Sequence, residues 1–166
     1  MTKLILFLFF CQVLGAFTGA CTAIWGELAH IRAMRDGEID TAERAHLRVI
    51  AHGLRFGMTL LLLSSLALAV VAYALHETLQ PALTANYWIF TLLTLLVIGF
   101  SWALARRRVS FTFGSAAALT AWWLLAYLTL GRLTIPFGSA VALYVVLTAV
   151  IYGLLRTIRI FAVHKR

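Results

Sequence analysis

The chain has 166 residues, 63% of them hydrophobic and 12% charged, with a formal net charge of +8 and a mean hydropathy of +0.94. Soluble domains carry about 25% charged residues, so this composition excludes disorder and argues against an ordinary soluble globular domain. The cations flank apolar segments instead of forming a basic stripe with interleaved aromatics, which argues against nucleic acid and makes the lipid bilayer the expected partner.

In chain order, apolar segments cover residues 4–25, 56–75, 87–104, 109–130 and 133–155. Each has about 18–23 residues, the length a helix needs to cross a ~30 Å hydrocarbon core. Inside lipid a helix satisfies its own backbone groups. The short alternating segments of a membrane barrel are absent. The expected fold is all-α: one domain, an integral membrane bundle of five transmembrane helices.

The first segment carries both cysteines, Cys11 and Cys21. On one helix they sit about 15 Å apart, too far for a disulfide, so they read as small apolar packers. Gly15-x-x-x-Gly19 on the same segment predicts close helix packing, within the chain or in a homodimer. Lys3 followed by residues 4–14 resembles a signal peptide, with a cleavage site at Thr18-Gly19-Ala20. Cleavage would put the main cationic clusters on the wrong side of the membrane, so the segment is read as a retained span.

Residues 26–55 form the polar connection and hold five of the six acidic residues. Asp36-Gly37 predicts a turn, and Asp40-x-x-Glu43 a variant capping box opening the next helix. The first two helices are therefore expected to extend into a helical hairpin. Part of this stretch mimics a calcium loop, but Arg32 and Met34 stand where oxygen ligands are needed. The second connection contains His76 and Pro81 and no Lys or Arg. Arg106, Arg107 and Arg108 mark the third. Gly131 and Arg132 mark the fourth, and Pro136 follows at the start of the fifth helix, where proline costs little. The tail after Leu155 is basic. Phe113-Gly114-Ser115-Ala116 recurs as Phe137-Gly138-Ser139-Ala140, which reads as small-residue packing and not as a duplicated domain.

Twelve of the fourteen cations fall on the side of the first connection, the third connection and the tail; Lys3 and Arg132 fall on the other. The positive-inside rule then places the N-terminus outside and the C-terminus in the cytoplasm, with the hairpin cytoplasmic. Trp25 and Trp102 fall at inner boundaries, and Tyr73, Tyr87 and Trp88 at outer ones.

The spans contain no ionisable acid, base or histidine within these boundaries, which weighs against proton-coupled transport. Gln12, Ser64, Ser65, Thr91, Thr94, Ser101 and Thr120 would serve a passive small-solute transporter. Such residues more often bond to neighbouring helices or their own backbone. Glu27-x-x-His30 and Glu43-x-x-His46 each place a carboxylate and an imidazole on one helix face. Folding the hairpin near residue 38 brings His30 opposite His46, so Glu27, His30, Glu43 and His46 are candidate ligands for a divalent metal. A di-iron site would need two further carboxylates, and residues 87–155 supply none. The competing reading is ordinary solvated Glu–His neighbours. His30 and His52 lie at similar depth and are candidate axial haem ligands. No Ser-His-Asp set or phosphate-cradling loop can be assembled, which weighs against an enzyme.

The glycine-rich first helix, the acidic Glu27, the turn Arg35-Asp36-Gly37 and the Leu-rich stretch 60–64 resemble uncharacterised bacterial multi-helix inner-membrane proteins over about the first 75 residues. Some of that type carry a histidine early in the first helix, where this chain has Gln12; this weakens the haem reading. The resemblance implies no activity. The expected role is a small inner-membrane accessory or assembly protein, non-catalytic, with the hairpin as its docking surface. The alternatives are a metal- or haem-binding redox protein and a passive transporter.

Overall fold

The computed structural model describes residues 2–36, 41–75, 85–131 and 135–164. They form five helices: α1 (Thr2–Asp36), α2 (Thr41–Ala74), α3 (Ala85–Ala105), α4 (Phe111–Thr129) and α5 (Phe137–His164). The protein is all-α, and all five helices are long and apolar enough to cross a membrane. Gly37 and Asp40 of the expected turn and capping box, and the second connection from His76 through Pro81, lie outside the described residues, as do Arg132, Lys165 and Arg166.

α1 and α2 pack antiparallel, and glycines decide how close they come. A Cβ added to Gly15 would lie 2.8 Å from the Leu61 backbone nitrogen, and one on Gly57 would lie 2.8 Å from the Gly15 carbonyl oxygen and from the Gly19 nitrogen. Further along, Gly53 faces Thr22 and Gly26 faces Ile50. Glycine inside a helix is a poor helix former, but here it lets two backbones touch, which is how helices associate when lipid removes the hydrophobic drive. The Gly15-x-x-x-Gly19 pattern is thus used within the chain, against Gly57 and Leu61.

α4 is the central helix. It packs against α1, α3 and α5. Its small residues Gly114, Ser115, Ala116, Ala117 and Ala121 are buried and admit those neighbours. Trp122 fills the space beside Gly19, where any added Cβ would collide with its ring. The outer helices turn Leu63, Val70, Leu95, Val145, Val150 and Leu154 outward, an apolar surface suited to lipid. The repeated Phe-Gly-Ser-Ala motif is not used twice: Gly114 is buried against Leu104 and Val109, whereas Gly138 has open space around it.

Helix ends follow local chemistry. Pro136 caps α5, its carbonyl accepting the Ala140 N–H at 3.1 Å. α4 ends at Gly131, whose φ of 66° suits glycine. α3 ends with the same left-handed geometry at Arg107, φ 53°. There the Arg108 N–H bonds the Ala103 carbonyl and the Arg107 N–H the Leu104 carbonyl, the two bonds of a Schellman cap. The fifth helix starts at Phe137 and runs through the basic stretch after Leu155 as far as His164.

Candidate functional site

The one ion pair among the described residues joins the first helix to the last. Arg159 Nη2 donates to Glu27 Oε2 at 2.6 Å, and both side chains are 9% exposed. The second terminal nitrogen, Nη1, donates to Thr112 Oγ1 at 2.6 Å, and Nη2 also reaches Ser115 Oγ at 3.4 Å. Arg159 Nε is buried with no hydrogen-bond partner among the described residues. The guanidinium carbon lies 5.1 Å from the centre of the Phe111 ring, and the His30 ring packs on that same phenylalanine with centroids 4.0 Å apart.

Each element supplies its part for a local reason. Residues 27 and 30 fall one turn apart on α1, so Glu27 and His30 share a face. Phe111, Thr112 and Ser115 occupy the first turns of α4, next to the α3 terminus with its three arginines. On α5, Thr148, Leu155 and Arg159 are buried at spacings of seven and four, one helical stripe aimed at the core. Arginine suits such a place because its planar fork donates in several directions at once. Burying a charge is costly without a partner, and here the cation and the carboxylate neutralise each other. The arrangement is a clamp holding α1, α4 and α5 together at one end of the bundle.

The sequence-derived candidates are arranged as follows. Glu27 is engaged by Arg159. His30 lies against Phe111. His46 Nε2 accepts a hydrogen bond from Trp25 Nε1 at 2.6 Å, tying α2 to α1. His52 is exposed, its Nδ1 2.8 Å from the Arg48 carbonyl oxygen. The side chain of Glu43 lies outside the described residues. Among the described residues, no group of three or more His, Cys, Asp or Glu converges as a metal site.

Of the polar residues in the spans, Ser64, Thr91 and Thr120 bond carbonyls of their own helices, the common fate of helical hydroxyls. Thr94 Oγ1 is buried without a partner among the described residues.

Sequence reasoning missed Arg159, Thr112 and Ser115. In the sequence Arg159 is one of four cations after Leu155, with Arg156, Lys165 and Arg166. Its apolar neighbours Ile158, Ile160 and Phe161, and its place on the stripe through Thr148 and Leu155, were the available signal. No protein-family model, curated protein or solved structure matches this chain.

Proposed function

We propose that this chain is a multi-pass protein of the bacterial inner membrane, with its N-terminus outside and its C-terminus in the cytoplasm. Its role is that of a non-catalytic accessory or assembly partner for another membrane protein, docking through the paired ends of α1 and α2. The observation that carries this reading is a difference in length. α1 has 35 residues and α2 has 34, against 19 in α4. At 1.5 Å per residue the first two reach about 50 Å and α4 about 28 Å. The hydrocarbon core is about 30 Å thick, so an α1–α2 pair extends well past it.

The excess falls at the end bearing Trp25, His46 and the Glu27–Arg159 clamp. Exposed Arg32, Arg48 and Arg55 lie on these two helices toward that end, with Leu28 and Val49 exposed among them. Arg106 and Arg108 flank the exposed Trp102 ring at the nearby α3 terminus, at 5.0 and 4.9 Å from its centre. Cations with interfacial tryptophan are what a cytoplasmic boundary carries. The buried charges of Glu27 and Arg159 are consumed by each other, so they serve the rigidity of the platform beneath the docking surface.

Two measurements test the reading. Reporter fusions at the C-terminus should give cytoplasmic fluorescence and no periplasmic phosphatase activity; the reverse pattern overturns the orientation. A photo-crosslinking residue at Val49 should capture one defined membrane protein, and one at Val150 should not. Crosslinks to lipid alone at both positions overturn the docking role.

A further inference from the structure

At the end of the bundle away from the clamp lies a cavity of about 430 Å³ between α1, α2, α3 and α4. Its walls include Phe9, Leu68, Ala72 and Phe90, and its polar groups include Gln12, Ser65, Asn86 and Thr129. No described lining residue carries a charge. The volume falls within the range of small-molecule sites, which are mostly apolar with a few placed polar groups.

The polar groups are not used up by the protein. Ser64 spends its hydroxyl on the Leu60 carbonyl at 2.7 Å. Its neighbour Ser65 lines the cavity and makes no side-chain hydrogen bond to a described residue. The half-buried Gln12, nearly three turns into α1, likewise makes none. A carboxamide offers two donors and an acceptor, and leaving them unmet at membrane depth is unfavourable. The Thr129 hydroxyl is donated to the Ala126 carbonyl at 2.9 Å, which leaves its oxygen able to accept.

We propose that this cavity binds an uncharged membrane-soluble molecule whose oxygen-bearing head, a carbonyl or hydroxyl, is read by Gln12 and Ser65 while its apolar body lies along Phe9, Leu68 and Phe90. An ion is disfavoured because no described wall residue would neutralise it. A purely apolar chain is disfavoured because it would leave Gln12 unmet. Two sources share this chemistry: a lipid-soluble quinone and a neutral glycerolipid. The inference stands independently of the docking role.

The test uses the full chain in mild detergent, titrated separately with decyl-ubiquinone and dioctanoylglycerol. Native mass spectrometry reads stoichiometry, and thermal unfolding reads affinity. One equivalent of at least one probe is expected to bind. Gln12→Leu removes the head contact and Ala72→Phe fills the space; each should weaken binding about tenfold or more. Thr157→Ala, at the other end of the bundle, should leave binding unchanged. Unliganded unfolding temperatures and Ser65→Ala, a smaller change in the same cavity, separate loss of the site from loss of the fold. Which probe binds names the source. Binding of neither probe, or binding equally tight in the Gln12→Leu and Ala72→Phe variants, overturns the proposal.

Discussion

Glu27 and Arg159 stand 132 positions apart in the chain and meet at 2.6 Å, so the last helix is fastened to the first by a buried ion pair. Removing one partner leaves the other charge buried alone, which costs about 3–5 kcal/mol, whereas replacing both with apolar groups is often tolerated. Glu27→Leu and Arg159→Met should each lower the unfolding temperature in detergent sharply. The double variant should be more stable than either single one. Additive losses in the double variant would show that the two side chains act separately.

The α1–α2 contact gives a second prediction, with an internal control. An added methyl at Gly57 meets backbone atoms on α1 at 2.8 Å, and backbone cannot step aside as a side chain can. Gly57→Ala should therefore force the helices apart and destabilise by about 1–3 kcal/mol, the usual range for overpacking. Gly99 has nothing within 4 Å of its added Cβ. There the same substitution should be neutral or gain up to about 1 kcal/mol from helix propensity. Thermal unfolding of the two variants side by side checks the contrast.

The five helices were legible because hydrocarbon-length apolar runs are a one-dimensional signal. Gly15-x-x-x-Gly19 is legible as a packing motif, but its partner surface, Gly57 and Leu61, is not, since facing registers depend on how two helices meet. The clamp was hidden for a related reason. Arg159 sits among the basic residues that follow Leu155, and counting charge by side treats every arginine alike. Only the stripe through Thr148 and Leu155 separates it from Arg156, which is exposed. Conversely, Glu27 and His30 were paired on spacing alone, and spacing does not reveal that an arginine from the far end of the chain takes the carboxylate.

That competition sets an expectation for metal. Arg159 already holds Glu27 Oε2, so an ion bound to this carboxylate would share it with the guanidinium and meet that positive charge at close range. His46 Nε2 is taken by the Trp25 N–H, which leaves only Nδ1 to ligate. Elemental analysis of protein purified without chelators should therefore find iron and zinc well below one equivalent, unchanged by His46→Ala. Near-stoichiometric metal lost in that variant would show that the residues around His46 rearrange to hold an ion.

The α3 terminus offers a stabilising change. Arg107 takes φ 53°, a left-handed conformation that costs a side-chain-bearing residue about 1–2 kcal/mol and glycine little. The position is the one a Schellman cap reserves for glycine, as Gly131 shows at the end of α4. What holds Arg107 there is the pair of bonds from Arg107 and Arg108 to the Leu104 and Ala103 carbonyls, which satisfies carbonyls the helix would otherwise leave open. Arg107→Gly keeps those bonds and relieves the strain. It leaves Arg106 and Arg108 against the Trp102 ring, so two of the three cations at this terminus are kept. The variant should be more stable by about 1 kcal/mol, seen as a higher unfolding temperature. Arg107→Val, branched at Cβ and poorly suited to positive φ, should move stability the other way. If both variants lose stability equally, the Arg107 side chain itself makes the contribution, and backbone strain is not what limits this turn.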